Sequence, residues 1–228
     1  FIVVPIYLIT LAAFSPPDVI YSYPKSLLPT TLSTETMQFF LNSRGVLTSL
    51  WNSIVVGIGT LALALVIGTP AGYALARFIF PGRDTFKLTI LTTRAFPIVI
   101  LSIPLAVIFI NWGLYDTLFG VTLAHTSLAL PITILVTSSI FAGVPRDLEE
   151  AAQTLGCTPV QAFLRVALPL ALPGLAAAAI FTFVLSWNEV FAATILTLRN
   201  RTLPALMLSQ LNNSPLPFRY AGGFFLVL

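Results

Sequence analysis

The residues able to do chemistry in this chain are few, and three of its eight acids stand in one stretch, Pro145 to Pro169 (PRDLEEAAQTLGCTPVQAFLRVALP). Its carboxylates Asp147, Glu149 and Glu150 have the chemistry of helix caps and salt-bridge partners. Outside that stretch, polar groups interrupt apolar runs at Arg94, at His125, and at Asn188 and Glu189 beside Trp187. Charge in lipid is costly, so such groups face cavities or partners. Arg94, Trp187, Asn188 and Glu189 are therefore expected to line a translocation pathway or a subunit interface. The competing reading is local: they satisfy backbone freed by Pro97 or Pro131, pair across helices, or, for Arg94, snorkel to the membrane surface. His125 reads as a hydrogen bonder between packed helices.

Catalytic motifs are missing. No G-x-x-x-x-G-K-[ST] occurs, and neither lysine, Lys25 or Lys87, follows such a glycine, so the chain has no loop to cradle nucleotide phosphates. No H-E-x-x-H, C-x-x-C or clustered His/Cys/carboxylate set points to a metal. His125 has no G-x-S-x-G nucleophile to serve. The single cysteine, Cys157, has no partner for an internal disulfide and reads as a small packed residue.

Spacing shows how the polar stretch is built. Leu148, Ala151, Ala152 and Leu155 fall at i, i+3, i+4 and i+7, a small apolar stripe on a short helix. Asp147 is expected to cap its start, with Glu150 three residues on. Gly156 ends it, since glycine takes the left-handed C′ conformation without a Cβ penalty. Thr158, Pro159 and Gln161 then supply an N-cap, a first helical residue and a capping box. Val160, Phe163, Leu164 and Ala167 repeat the stripe. The pattern is helix, glycine elbow, helix, placed between membrane spans. Helices this short are marginal alone, so they must pack on something.

Glu150-Ala151-Ala152, then Gly156, then Val166-Ala167-Leu168-Pro169 resembles the EAA loop of the membrane subunits of binding-protein-dependent ABC importers. That family's pattern is E-A-A, a short gap, G, nine residues and I-x-L-P, with Val166 here in place of isoleucine. The flanking VPRDLEEAA and SWNEVFAATILT (Ser186 to Thr197) resemble the carbohydrate, maltose-type branch. The resemblance covers the chain from about Leu50 onward. It implies that Leu148, Glu150, Ala151, Ala152, Leu155, Gly156, Leu168 and Pro169 form a cytoplasmic coupling segment that docks on an ATPase. It further implies a second homologous permease (a heterodimer, as is usual for carbohydrate importers), two ATPase subunits holding ATP and Mg, and an extracytoplasmic solute-binding protein. This chain itself would hold no cofactor.

Composition agrees with a membrane setting. The chain is 57% hydrophobic and 8% charged, where soluble domains carry about 25% charge, and its mean hydropathy is +0.96. A net charge of +3 without a basic cluster favours a lipid bilayer and gives no sign of nucleic acid. The expected architecture is an all-α integral membrane protein, a six-span helical bundle of the ABC importer permease type forming one domain. Its spans are 1–14 (partial), 50–77, 88–110, 118–142, 175–198 and 219–228 (partial), with a coupling segment at 145–169. A break is expected at Leu172-Pro173-Gly174 and a short helix within Thr34–Asn42. Gly68 and Gly72 match GxxxG, a spacing for close helix approach.

Lys and Arg divide evenly between the two sides, so the positive-inside rule does not orient the chain; the resemblance places the coupling segment in the cytoplasm of a bacterial or archaeal cell. Three function classes follow. One is the permease subunit of an ABC importer for a sugar or related polar solute, with no enzymatic activity of its own. Another is a self-contained ion-coupled transporter, which would favour internal repeats and several intramembrane carboxylates. The third is an intramembrane enzyme, which needs a nucleophile and base placed together and for which the sequence offers only the single His125 without a G-x-S-x-G partner. The resemblance favours the first.

Overall fold

The computed structural model describes residues 3–24, 27–29 and 31–227, and all regular structure among them is helical. Backbone groups in lipid have no water to bond to, and a helix satisfies them within one segment. In order, the helices are α1 (Val3–Ala13), α2 (Pro17–Tyr21), α3 (Glu35–Asn42), α4 (Val46–Arg77), α5 (Arg83–Thr92), α6 (Ile98–Asn111), α7 (Leu118–Ala142), α8 (Arg146–Thr154), α9 (Pro159–Ala162), α10 (Leu168–Trp187), α11 (Phe191–Leu196), α12 (Leu203–Gln210) and α13 (Leu216–Val227). A 3-10 turn (Thr93–Ala95) follows α5, and a π turn (Phe163–Ala167) joins α9 to α10. Residues 1, 2 and 228 of the expected terminal spans, and Lys25 of the charge comparison, lie outside the described residues.

Among the described residues, three stretches are long and apolar enough to cross a bilayer: α4, α7 and Pro159–Trp187. The 32 residues of α4 extend about 48 Å at 1.5 Å each, well beyond a hydrocarbon core of ~30 Å. A fourth crossing exists if α5 with its 3-10 turn and α6 count as one span, bent by 87°. The bend falls at Phe96 and Pro97, because the residue before proline is pushed out of the helical region; Phe96 has ψ 116. Arg94 therefore sits exposed at a bend, not within a straight span. Helices α1 and α13, with 11 and 12 residues, are shorter than the ~20 residues a crossing needs.

Two expected boundaries move. No break occurs at Leu172-Pro173-Gly174: α10 runs through Pro173. Gly174 instead serves close approach, since a Cβ there would meet Ile140 Cγ2 of α7 at 2.8 Å. The expected span 175–198 is interrupted at Asn188–Val190, after which the chain turns helical again in α11.

The chain forms two compact units. One comprises Phe1–Val55, Ile108–Val121 and Trp187–Leu228; the other comprises Val56–Val107 and Thr122–Ser186. The core of the first is Phe40, Val46, Leu203, Leu206, Met207, Phe218 and Ala221. In the second, α4, α7 and α10 meet through small and hydroxyl residues. The Thr137 hydroxyl donates to the Gly68 carbonyl at 2.9 Å, Thr133 and Thr182 hydroxyls lie 3.2 Å apart, and His125 Nδ1 lies 2.8 Å from Ser186 Oγ. Gly68 faces Thr133 and Gly72 faces Thr137, so both glycines of the GxxxG match admit α7. Where lipid is as apolar as the side chains, such close packing and hydrogen bonds drive association.

In the first unit, Asp116 ties one connection to another. It adopts φ 57, a left-handed conformation that Asp tolerates. Its Oδ1 accepts from the backbone N–H groups of Leu198, Arg199 and Asn200 at 2.8, 2.9 and 3.0 Å. Burial pushes this carboxyl up, but the three N–H groups and the Arg199 guanidinium outweigh it and hold the pKa below the ordinary value. A carboxyl with a depressed folded pKa stabilises above its unfolded pKa, about 3.9, and loses that contribution as pH falls through the folded value. Asp116→Ala is expected to lower the melting temperature in detergent at pH 7, and the gap from wild type should narrow progressively below about pH 4. An unchanged gap at pH 3 would show that the charge is irrelevant.

Candidate functional site

The polar stretch folds as its spacing requires, with one correction. Helix α8 starts two residues early: Pro145 occupies the N-cap position, Asp147 lies in the first turn, and no side-chain cap bond forms. At the other end, Gly156 takes φ +94. Its N–H donates to the Gln153 carbonyl at 3.0 Å, and that of Cys157 to Ala152 at 3.0 Å. This pair of bonds is a Schellman closure. The Thr158–Gln161 capping box that opens α9 is complete, with bonds of 2.9 and 3.3 Å.

The apolar stripe of α8 is turned outward. Leu155 is 87% exposed and Leu148 45%, Ala151 is exposed, and Ala152 is half-buried. On the second helix Val160 and Leu164 are exposed, while Ala167 is buried and Leu168 packs on the core of Phe141, Val144, Ala171 and Leu175. Pro169 is exposed in the first turn of α10. Leu148, Ala151 and Leu155 thus stand open on the side of α8 away from its anchored face.

That anchor is Glu149, which the sequence placed merely off the stripe. Among the described residues, Glu149 and Arg77 are the only buried charged side chains. Glu149 Oε1 accepts from Arg77 Nε at 2.7 Å and lies 2.5 Å from Arg77 Nη2; Oε2 accepts from the Tyr73 hydroxyl at 2.5 Å. Arg77 Nη2 also donates to the Val144 carbonyl at 3.0 Å, and Arg146 Nη2 donates to the Arg77 carbonyl at 2.9 Å. Arg83 Nε donates to the Leu75 carbonyl at 2.7 Å. Guanidinium groups thus satisfy carbonyls that the end of α4 leaves without helical partners. The ring of Tyr73 meets Phe163 and Phe141 at centroid distances of 4.5 and 5.3 Å. A cleft of ≈ 500 Å³ opens beside this network, lined by Tyr73, Arg77, Glu149, Glu150, Gln153 and Val160 among others.

Glu150, next in sequence, is exposed, and its nearest cation is Arg146 at 3.9 Å, with the two side chains 65% and 56% exposed. A single step along a helix turns a side chain by 100°, so one glutamate faces in and its neighbour out. The signal that could have marked Glu149 is the i, i+4 pair Tyr73 and Arg77 at the polar end of α4, two donors on one face.

The other expected site residues are not gathered with this segment. Trp187 ends α10 and Asn188 lies in the break. Glu189 Oε1 and Oε2 accept from the N–H groups of Ala192 and Ala193 at 3.0 and 3.2 Å, which caps the start of α11. Among the described residues no group of His, Cys, Asp and Glu could hold a metal ion.

Comparison with known proteins gives the family. Residues 64–228 match the family described as "Binding-protein-dependent transport system inner membrane component". The chain belongs to this family. It is 38% identical to the trehalose transport system permease protein SugB of Mycobacterium tuberculosis over 78% of this chain and 65% of that protein. It is 32% identical to the diacetylchitobiose uptake system permease protein DasC of Streptomyces coelicolor over 91% of this chain and 76% of that protein. The chain thus spans about two thirds to three quarters of these relatives. Its fold resembles that of a bacterial ABC transporter involved in the import of alginate, with a TM-score of 0.73 at 22% identity over 99% of this chain and 85% of that one. It also resembles the MetNI methionine ABC transporter, with a TM-score of 0.69 at 21% identity over 85% and 90%.

Membership in this permease family sets aside the ion-coupled transporter and the intramembrane enzyme. In a permease, the adjacent glutamates should differ sharply in energetic weight. Glu149→Ala leaves the Arg77 guanidinium buried without its carboxylate and should destabilise by about 3–5 kcal/mol. Glu150→Ala removes one exposed pair and should cost no more than about 0.5 kcal/mol. Thermal unfolding of the two variants in detergent measures the contrast, and equal losses would contradict it.

Proposed function

We propose that this chain is the membrane subunit of an ATP-driven importer for a sugar or related polar solute in a bacterial cytoplasmic membrane. The observation that carries the proposal is the outward apolar stripe of α8, Leu148, Ala151, Ala152 and Leu155, held on a helix that is anchored on its opposite side. The stripe docks on an ATPase subunit. Small alanines let α8 sit deep in a groove, and Glu150, exposed at its edge, meets a cation of the partner. Leu168 and Pro169 start the membrane helix that the segment braces. ATP and Mg are held by two ATPase subunits, and hydrolysis there drives α8 and α9 as levers.

In this reading a second homologous permease, different in sequence, completes the pathway, and an extracytoplasmic solute-binding protein delivers the solute. Arg94, Trp187, Asn188 and Glu189 belong to that pathway or to the contact between permeases. The relatives that import trehalose and diacetylchitobiose support an oligosaccharide as the solute. The other terminal helices complete the six-span arrangement.

The test is affinity recovery from solubilised membranes, with Glu150→Lys beside wild type and the recovered chains identified by sequence. Wild type should bring down a chain carrying a P-loop and a second permease, and Glu150→Lys should lose the ATPase at least tenfold, about 1.4 kcal/mol of binding. Recovery of this chain alone from wild-type membranes would overturn the proposal.

The elbow offers a second test. No heavy atom lies within 4 Å of a Cβ built on Gly156, so a substitution there is strained through φ alone, at about 1–2 kcal/mol. Gly156→Val should leave insertion intact while lowering solute uptake per ATP hydrolysed by at least tenfold. Wild-type coupling in this variant would show that the left-handed elbow is dispensable.

A further inference from the structure

The buried network beneath α8 has more bonds than a simple anchor needs. Two oxygens of one carboxylate take three donors, from Arg77 Nε, Arg77 Nη2 and the Tyr73 hydroxyl, all on α4. The same Arg77 is tied through Nη2 to the Val144 carbonyl just before α8, and through its own carbonyl to Arg146 at the start of α8. Four groups thus cross between the last turn of α4 and the first turns of α8, and their bonds run in both directions. The Tyr73 ring adds a lateral contact to Phe163 on the π turn and to Phe141 on α7.

Geometry divides the coupling segment into a stiff part and a compliant part. α8 is bolted to α4 by charge-assisted hydrogen bonds, which are the short and directional kind. Beyond Gly156 the connection to α10 runs through a left-handed residue and a π turn, both sites where a chain bends. A push delivered to α8 without the bolt would be absorbed at the elbow. With the bolt it arrives at α4, a 32-residue helix.

We infer that Glu149, Arg77 and Tyr73 are positioning residues for coupling, forming a clamp that makes α8 and the end of α4 move as one body when the ATPase subunits close. This rests on the proposed function, since it needs an ATPase to apply the force, but it assigns the transmission to residues outside the EAA pattern and to α4 in place of the elbow. The stripe and Glu150 make none of the clamp's bonds, because they lie on the other faces of α8.

The test reads the distance between α8 and α4 directly in the complex with its ATPase subunits. Spin labels go at Asp147→Cys, exposed on α8, and Ile79→Cys, 84% exposed just past α4, in a Cys157→Ser background that removes the single native thiol. Distances are measured by pulsed electron resonance without nucleotide and with ATP and vanadate. The unaltered clamp should give one narrow distribution that is the same in both conditions. Glu149→Gln should give a distribution about twofold broader that shifts on adding nucleotide, as expected when a paired charge is lost from a local structural unit. Tyr73→Phe, which removes only a hydroxyl and so keeps the ring packing, should change in the same direction to a smaller extent. A residue that only stabilises the fold would lower the melting temperature without making this distance depend on nucleotide.

A nucleotide-driven shift with the clamp intact would overturn the inference, and so would variants whose distributions superimpose on it. These results leave the importer reading standing, because they are obtained with ATPase subunits present. Absence of an ATPase subunit from the wild-type preparation would overturn that reading instead, and this inference with it.

Discussion

A carboxylate removed from water must find its partners inside the protein, and most of what the coupling segment does follows from how Glu149 meets that demand. An isolated buried carboxylate costs far more than any single contact returns. Here three donors from α4 converge on it, and the result is a fixed orientation for α8. Once Glu149 points inward, the 100° step between successive residues decides the rest. Glu150 must point to solvent, and the stripe from Leu148 to Leu155 must stand open. The outward set of the stripe therefore follows from the buried pair as much as from its own apolar residues. A buried pair is weak evidence for stability compared with a hydrophobic replacement; it is better evidence for specificity of arrangement.

The same economy of polar groups governs the membrane part. Among the described residues, the buried polar side chains other than Arg77 and Glu149 are uncharged, mostly Thr and Ser. Several return their hydroxyls to a carbonyl one turn back, as Thr126, Thr133 and Thr182 do. That lets them sit at helix contacts without leaving a donor unmet. Combined with Gly57, Gly68, Gly72 and Gly174, each facing a side chain of a neighbouring helix, they allow α4, α7 and α10 to approach where bulky residues would hold them apart.

How much of this was legible in the sequence depends on whether the cause is local. The left-handed Gly156, the Thr158–Gln161 box and the α4 and α7 spans were legible because turn chemistry and apolar length act within a few residues. Pro173 misled, because α10 runs through it and the Gly174 beside it serves close approach to Ile140 of α7. Pro97 did break its span, and nothing within the sequence separates the two prolines. Asp147 looked like a cap by type and spacing, yet Pro145 sets the helix start two residues earlier. Glu189 looked like a buried charge in a span; the break at Asn188 turns it into a cap for α11. Glu149 was the largest omission. Its partners Tyr73 and Arg77 lie more than seventy residues away, and no periodicity within α8 can report them.

The two ends of the coupling segment are held by different physics, and that difference argues for a division of labour. The α8 end depends on directional bonds to charged groups, which hold a helix at one angle and fail abruptly when a partner is removed. The α10 end depends on apolar packing of Ala167, Ala171 and Leu175 against Phe141 and Val144, which tolerates sliding because dispersion contacts are many and individually small. Between them stand Gly156 and the π turn. The segment is thus held by directional bonds at α8 and by apolar packing where it joins α10. Tyr73 touches both regimes at once, its hydroxyl on Glu149 and its ring on Phe163 and Phe141. Arg77 does so too, through its bond to the carbonyl of Val144, a residue of that apolar core.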